Sequence, residues 1–371
     1  MPATARSDAV HLEDITVSTY RIPTDVPSES DGTYEWSATT LVLVEAAGGG
    51  CTGLGYTYAD ESTAALIHSM LARIACGMDV MANGAIWEKL VAAVRNLGRS
   101  GIASMAISAV DVAMWDLKAR LLDTPLVSLL GAVRPAAPVY GSGGFTSYSM
   151  EQLCSQLAGW VSEGIPRVKM KIGRDACADV ARVMAARAAI GQGAELFVDA
   201  NGAYERKQAL QQAQRFAESR VSWFEEPVYH RDLEGLREIR ERAPAGMEIS
   251  VGEYGYVPDT FASIIRAGAT DVLQADATRC EGITGLLIVD GLCEATATPL
   301  STHCAPSLHA HPACAAKRVR HVEYFHDHVR IEHMLFDGAL TPVDGALHPD
   351  LSRPGLGLEF KHADAQRFAL S

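Results

Sequence analysis

The first third of the chain contains two kinds of hydrophobic pattern. Apolar and polar residues alternate over three segments, which predicts a small antiparallel sheet from residues 15–21, 41–44 and 53–58. Residues 104–122 instead repeat apolar positions at helical spacing, which predicts one long amphipathic helix. We therefore expect residues 1–131 to form an α+β domain.

After residue 131 the pattern changes to eight short apolar runs separated by longer amphipathic stretches. The runs are 139–141, 167–172, 196–200, 223–225, 249–252, 272–275, 300–302 and 322–325. Strands that alternate with helices predict a parallel sheet with helical crossovers, and eight of them close most naturally as a barrel. A doubly wound open sheet is the competing arrangement. The barrel is expected over residues 132–346.

Ionisable residues recur at or near the ends of the last seven runs. In chain order they are Lys169 with Lys171, Asp199, Glu225, Glu253, Asp276, His303 and Glu323. The carboxyl ends of all strands surround one mouth in a (β/α)8 barrel, so residues with this period converge on a single site. An open sheet spreads them along a line, and the pattern therefore favours the barrel.

Three successive strand ends carry the carboxylates Asp199, Glu225 and Glu253. Such a cluster in a shared pocket needs a positive counter-charge. Ligation by oxygen alone is typical of a hard cation and leaves room for water and substrate oxygens, as Mg2+ prefers. The alternative is that each carboxylate caps the helix after its strand, which three residues at the same relative position disfavour.

Acid–base groups are predicted on both sides of these carboxylates. Lys169 and Lys171 alternate with apolar residues, so both point to one face. Their proximity to each other and to a cation is expected to depress the pKa of one of them. Asp276 and His303 end adjacent strands, where the aspartate would fix the imidazole tautomer. A buried His–Asp pair with a purely structural role is the alternative for the second group.

Together these residues predict removal of the α-proton of a carboxylate substrate by Lys171 or His303. The resulting enediolate would be stabilised by the cation and by Glu323 in its protonated form.

These residues and their surroundings resemble the mandelate racemase subgroup of the enolase superfamily. The motifs that carry the resemblance span nearly the whole chain: ISAVDVAMWDLKARLLDTPLVSLLGA at 107–132, KMKIG at 169–173, VDAN at 198–201, WFEEP at 223–227, SVGEYGYVP at 250–258, QADATRCEGITG at 274–285, STHCAP at 301–306 and HVEYF at 321–325. The resemblance implies a (β/α)7β TIM-like barrel beneath a capping domain formed by residues 1–131 and the returning tail, 347–371.

The resemblance also implies individual roles. It gives Asp199, Glu225 and Glu253 as Mg2+ ligands, Lys171 as one base, Lys169 as a contact to the substrate carboxylate, Asp276 with His303 as a dyad, and Glu323 as a hydrogen-bond donor. Capping loops 21–36 and 53–60 would determine substrate shape, with Tyr56 and Ser142 as further contacts. A homo-oligomer is expected on the same grounds.

Several reactions share this intermediate. Dehydration of a sugar acid to a 2-keto-3-deoxy acid is favoured because the predicted mouth is polar, with Tyr34, Tyr56, Tyr58, Ser142, His326 and His328. Racemisation or epimerisation of a 2-hydroxy acid and cycloisomerisation of a lactone are the alternatives within the enzyme class. A non-catalytic binding barrel is the alternative from a different class.

Two residues near the predicted site are expected to take no part in it. Glu281 stands where the subgroup usually has glycine, and a surface position is favoured for it over a carboxylate near the site. Cys304 follows His303 directly, so strand alternation would turn its thiol away from the site.

Charge and cysteine usage limit the partners. The formal net charge is −13, from 32 Lys+Arg and 45 Asp+Glu, which argues against nucleic acid or an anionic membrane as a partner. The eight cysteines are scattered without a CxxC pair, which predicts reduced thiols in a cytoplasmic protein. No signal peptide or membrane span is expected.

Overall fold

The computed structural model describes residues 9–370, and its amino-terminal part is a three-stranded antiparallel sheet covered by helices. The sheet strands are Asp14–Pro23, Ala38–Gly48 and Cys51–Tyr58, and a short hairpin pairs Glu29–Ser30 with Glu35–Trp36. The helices are Ser62–Leu66, the π-helical turn Ile67–Leu71, Ala72–Ala75, Asn83–Ala93, Ile102–Leu121 and Leu126–Leu130. The predicted sheet and long helix are confirmed.

The long helix lies directly against the third strand of the sheet. This close approach requires glycine at Gly53 and Gly55, since a Cβ on Gly55 would stand 2.2 Å from the Ala109 carbonyl oxygen. Gly49 and Gly50 form the tight turn before that strand, with φ of 58° and 77°, left-handed values that glycine adopts without strain.

The second part of the chain is a closed barrel of eight parallel strands. The strands are Ala137–Gly143, Arg167–Lys171, Glu195–Asp199, Val221–Glu225, Glu248–Val251, Val272–Ala275, Leu300–Thr302 and Val319–Phe325. The eighth strand pairs with the first, so the sheet closes and the open-sheet alternative is excluded. The predicted barrel under a capping domain is confirmed.

Helices connect the strands and surround the barrel. They are Met150–Ser162, Ala176–Ile190, Arg206–Glu218, Leu233–Arg242, Pro258–Ala267, Gly282–Ala295, Pro306–Ala315 and, after the last strand, His326–Leu335. Within the part of the chain that the structure describes, no helix is both long and apolar enough to cross a membrane.

The tail returns to both domains. Its elements are the strands Phe336–Asp337, Ala346–Leu347 and Glu359–Phe360, helix His362–Ala365 and the 3-10 turn Gln366–Phe368. Buried Asp116 of the long helix accepts hydrogen bonds from the amides of Leu54 and Leu356, at 2.7 and 2.6 Å. One carboxylate therefore joins the capping sheet, the long helix and the tail.

Aromatic rings fill the barrel two residues below the charged strand ends. Phe197, Trp223 and His321 precede Asp199, Glu225 and Glu323 by one strand repeat, so they point inward on the same face. The His321 ring centroid lies 5.4 Å from that of Trp223, and its Nδ1 lies 2.9 Å from Ser301 Oγ. These packed rings fill the barrel interior, so the charged residues of the next layer lie at its mouth.

Burial of His321 predicts a pH-dependent stability. Burial, assisted by the Arg320 charge, lowers the pKa of His321 to about 3, whereas the pKa of the residue in the unfolded chain is about 6.5. Between these values the unfolded chain binds one more proton, so stability falls as the pH falls. His321→Gln is expected to make the unfolding free energy depend less steeply on pH: between pH 6 and 4.5, its slope against pH should be smaller by ~1.4 kcal/mol per pH unit.

Chemical denaturation at a series of pH values measures this slope. His348→Gln, at a solvent-exposed position, is the matched control and should keep the wild-type slope. An unchanged slope in the His321 variant would contradict the assignment of a neutral, buried imidazole.

Glu281 does not lie on the surface and does not face the barrel mouth, which corrects the sequence interpretation. It is buried, with φ of 69°, and its Oε2 accepts a 2.5 Å hydrogen bond from Arg99 Nη2 of the capping domain. Its carbonyl accepts from the Trp87 indole at 3.1 Å. Glu281 therefore joins the barrel to the capping domain.

Removing the Arg99 charge alone is expected to destabilise the protein more than removing the charges of both Arg99 and Glu281. Arg99→Leu leaves the buried Glu281 carboxylate without its counter-charge, and we expect a loss of ~2 kcal/mol of unfolding free energy. Arg99→Leu combined with Glu281→Gln should recover part of that loss in chemical denaturation. Equal losses in the single and double variants would show that the ion pair does not carry the effect.

Candidate active site

A cavity of about 490 Å³ opens where the barrel mouth meets the capping domain. Its barrel wall includes five residues of the predicted constellation: Lys171, Glu253, Asp276, His303 and Glu323. The capping wall comes from residues 21–40 and 58–60, so both predicted capping loops contribute to it.

The three predicted metal ligands come together behind this wall. One carboxylate oxygen each of Asp199, Glu225 and Glu253 lies within 4.8 Å of the other two, and all three residues are buried. Glu253 Oε2 makes no hydrogen bond to the described residues. Three buried carboxylates match the all-oxygen ligand set of a hard divalent cation, so the residues present can hold Mg2+.

Both lysines of the second strand contact this cluster. Lys171 Nζ donates to Asp199 Oδ2 at 2.5 Å. Lys169 Nζ lies 2.7 Å from both oxygens of Glu225 and 2.8 Å from Glu323 Oε1. These three contacts occupy all three N–H donors of the Lys169 ammonium group. Lys169 is fully buried and does not line the cavity. Its expected contact to a substrate carboxylate stays a prediction.

The carboxylate beside Lys171 raises the pKa of that lysine. Burial opposes the charge on Lys171, but the adjacent Asp199 carboxylate outweighs burial and raises the pKa of Lys171 above its ordinary value. The charge of Lys169 acts in the opposite direction and is the weaker effect. The expected depression of the pKa depends also on a cation held by the same carboxylates, and it stays a prediction.

His303 is held by Asp276 as predicted. Its Nδ1 lies 2.8 Å from Asp276 Oδ2, while Asp276 Oδ1 accepts from the amide and hydroxyl of Thr278, both at 2.7 Å. The aspartate is thereby fixed, and His303 Nε2 points toward Glu253 Oε2 at 3.2 Å. Burial lowers the pKa of His303, but the Glu253 carboxylate and the hydrogen bond to Asp276 outweigh it, and the pKa lies above its ordinary value.

Glu323 accepts hydrogen bonds on both oxygens, and its predicted role as a protonated donor toward a bound substrate stays a prediction. Oε1 faces Lys169, and Oε2 accepts from the Cys304 amide at 2.9 Å. Burial raises the pKa of Glu323, but the Lys169 ammonium outweighs it and holds the pKa below its ordinary value.

Cys304 lies in the cavity wall, contrary to the prediction that its thiol turns away. The seventh strand ends at Thr302, and Cys304 adopts φ of 52°, so strand alternation no longer applies. Its Sγ stands 3.2 Å from His303 Nε2. Burial raises the pKa of the thiol to about 12, which keeps it neutral.

Three predicted contacts are absent from the cavity wall. Tyr56 is fully buried and its hydroxyl donates to Glu332 at 2.7 Å. Ser142 pairs in register with Lys169, one layer below the cavity. His326 pairs with Asp25 at 2.9 Å. The other predicted mouth residues, Tyr34, Tyr58 and His328, do line the cavity, and the last two rings stack at 3.5 Å.

Sequence reasoning missed Arg279, a cation in the cavity wall. Its Nη1 donates to the Glu253 carbonyl at 3.0 Å, and its Nε lies 3.7 Å from Asp276 Oδ2. Its position three residues after Asp276, in the loop that leaves a strand end, is the signal that could have found it.

Comparison with known proteins identifies the family. Residues 16–131 match the mandelate racemase / muconate lactonizing enzyme N-terminal domain, and residues 152–365 match the enolase C-terminal domain-like family. The chain belongs to the mandelate racemase subgroup of the enolase superfamily. The resemblance inferred from the motifs is thereby confirmed.

Curated relatives in this subgroup carry out different reactions. A 3,6-anhydro-alpha-L-galactonate cycloisomerase of Streptomyces coelicolor is 32% identical over 359 residues, covering 94% of this chain and 98% of that protein. The L-talarate/galactarate dehydratase of Salmonella typhimurium is 32% identical over 313 residues, covering 83% of this chain and 77% of the relative. Membership in the subgroup therefore does not fix the reaction.

Solved structures share the whole architecture. A mandelate racemase/muconate lactonizing enzyme-like protein from Rubrobacter xylanophilus is 53% identical with a TM-score of 0.95, covering 97% of this chain and all of that one. A Streptomyces coelicolor racemase with bound magnesium is 30% identical with a TM-score of 0.91, again covering 97% and 100%.

Proposed function

We propose that the chain is a Mg2+-dependent dehydratase that converts a sugar acid to a 2-keto-3-deoxy acid. The observation that carries the proposal is the order of side chains around the barrel. Lys171 ends the second strand and His303 follows the seventh, while the three carboxylates lie at the carboxyl ends of the third, fourth and fifth strands. A carboxylate substrate above that cluster would have one acid–base group on each side.

The chain's own residues account for the proton transfers. Lys171, in its neutral form, takes the α-proton of the substrate. His303, whose Nδ1 is held by Asp276, gives its Nε2 proton to the departing β-hydroxyl, which leaves as water. The enol that remains converts to the 2-keto-3-deoxy acid. Mg2+ bound by Asp199, Glu225 and Glu253 supplies the positive charge that stabilises the enediolate.

The cavity wall supports a polyhydroxylated substrate. Tyr34, Tyr58, Thr39 and Thr40 contribute polar groups from the capping domain, and Arg279 adds a cation from the barrel. Hydroxyl and guanidinium groups pair with sugar hydroxyls and carboxylates, whereas an aryl substrate needs an apolar wall. The dehydratase activity of the Salmonella relative agrees with this preference.

Cycloisomerisation is the second candidate. The Streptomyces cycloisomerase aligns over 98% of its own length, and removal of an α-proton followed by departure of a ring oxygen needs the same two groups. Racemisation is the third outcome, in which the opposite group returns the proton. The expected homo-oligomer and cytoplasmic location stay predictions.

Product analysis separates these reactions. We expect the protein with Mg2+ to convert at least one member of a panel of aldonic and aldaric acids, beginning with galactarate and L-talarate, to a 2-keto-3-deoxy acid detected by NMR. An epimer of the substrate would instead establish racemisation. An opened or rearranged lactone, from lactones included in the panel, would establish cycloisomerisation.

A further inference from the structure

A second group of metal-binding side chains lies beside the cavity and outside the Asp199 cluster. Asp25 lies in the capping segment between the first sheet strand and the short hairpin, Glu29 begins that hairpin, and His326 begins the helix after the eighth barrel strand. One ligand atom of each lies within 4.8 Å of the other two. His326 Nε2 stands 2.9 Å from Asp25 Oδ2, which joins segments 301 residues apart.

Unpaired buried oxygens point to a ligand in this group. Glu29 is fully buried and Asp327, next to His326, is 1% exposed. Each carboxylate uses one oxygen: Glu29 Oε1 lies 3.4 Å from the Tyr148 hydroxyl, and Asp327 Oδ2 accepts from Trp36 Nε1 at 3.0 Å. Glu29 Oε2 and Asp327 Oδ1 have no hydrogen bond within residues 9–370. Leaving such oxygens unpaired is costly.

The local charges favour a cation. When all three carboxylates are ionised, Asp25, Glu29 and Asp327 contribute three negative charges, and Arg330, whose Nη2 is 3.8 Å from Asp327 Oδ1, contributes one positive charge. One divalent ion cancels the remaining two negative charges. A proton on Glu29 is the competing occupant, since burial and then Asp327 raise the pKa of Glu29 to about 10, and a bound cation would displace that proton.

We propose that Asp25, Glu29 and His326, with Asp327, bind a second divalent cation. The mixture of carboxylate oxygens and one imidazole nitrogen favours a transition metal such as Mn2+ over Ca2+. Because the ligands come from both domains, the ion would fasten the capping segment to the rim of the cavity, where Asp327 and Trp36 form part of the wall. The inference is independent of which reaction the Asp199 cluster supports.

Mn2+ binding to the full chain tests the proposal. Titration at pH 7.5, with free Mn2+ measured by electron paramagnetic resonance, is expected to show two ions per wild-type chain. Glu225→Gln should lose the ion of the Asp199 cluster, and Glu29→Gln should lose the other, so each variant binds one. Glu35→Gln, exposed in the same hairpin, is the matched control and should bind two.

A second variant tests the site without changing a buried residue. Asp25→Asn, at an exposed position, removes a ligand without disturbing the buried carboxylates and should likewise bind one ion. A single ion in the wild-type chain, lost in Glu225→Gln, would overturn the second site and leave the proposed function intact. Two ions retained in both Glu29→Gln and Asp25→Asn would also overturn it. Two wild-type ions retained in Glu225→Gln would count against the metal centre of the proposed function.

Discussion

Glu225→Gln is expected to reduce Mg2+-dependent turnover on the order of 10³-fold or more. The substitution keeps the side-chain shape but removes the charge of the central carboxylate, which stands between Asp199 and Glu253 around the barrel. It also weakens the contact that holds Lys169, whose Nζ lies 2.7 Å from both Glu225 oxygens. The measurement is kcat/KM as a function of Mg2+ concentration.

Glu218→Gln is the matched control for this experiment. Glu218 is exposed at the end of the helix that precedes the same strand, so its variant should retain wild-type turnover. Unchanged kcat/KM in the Glu225 variant would remove this residue from the metal centre.

Lys171→Ala and His303→Asn are expected to separate the two proton transfers. Each should lower kcat about 10²–10⁴-fold, the range for loss of a general acid or base. If Lys171 takes the α-proton, Lys171→Ala loses both product formation and exchange of the α-proton with D2O. His303→Asn loses product formation while the exchange continues, because the first step does not use the imidazole.

His348→Asn, at an exposed position, controls for the loss of a histidine and should keep both activities. Exchange retained in the lysine variant and lost in the histidine variant would reverse the assignment of the base. Retention of full turnover in both variants would contradict the proposed roles of both groups.

The barrel and the convergence of its charged residues could be predicted because both depend on sequence period. Asp199 and Glu225 each end a strand, and Glu253 follows the end of the next strand by two residues. Parallel strands of a closed barrel bring such ends together whatever the intervening helices contain. The side-chain pattern alone therefore predicted the carboxylate cluster and the Asp276–His303 hydrogen bond.

Predictions that depended on local backbone conformation or on contacts between distant parts of the chain were wrong. Cys304 faces the cavity because the backbone leaves the strand in a left-handed conformation that alternation does not describe. The pairing of Glu281 with Arg99 joins residues 182 positions apart, on different domains, and no local pattern encodes it.

The charge states of the site were also beyond the sequence. Alternation places Lys169 and Lys171 side by side, which predicts mutual repulsion. The closer partners are Asp199 and Glu225, and attraction to them raises the pKa of both lysines although burial opposes it. The Lys169 charge also lowers the pKa of Glu323, although burial opposes it.

Exchange of the substrate α-proton in D2O, with and without Mg2+, tests the central claim most directly. With sugar acids and Mg2+, NMR is expected to show deuterium at the α-carbon or a 2-keto-3-deoxy product, and chelation of the metal with EDTA should abolish both. Neither exchange nor product across a broad panel of aldonic and aldaric acids, or equal rates with EDTA, would contradict metal-dependent proton abstraction at this site.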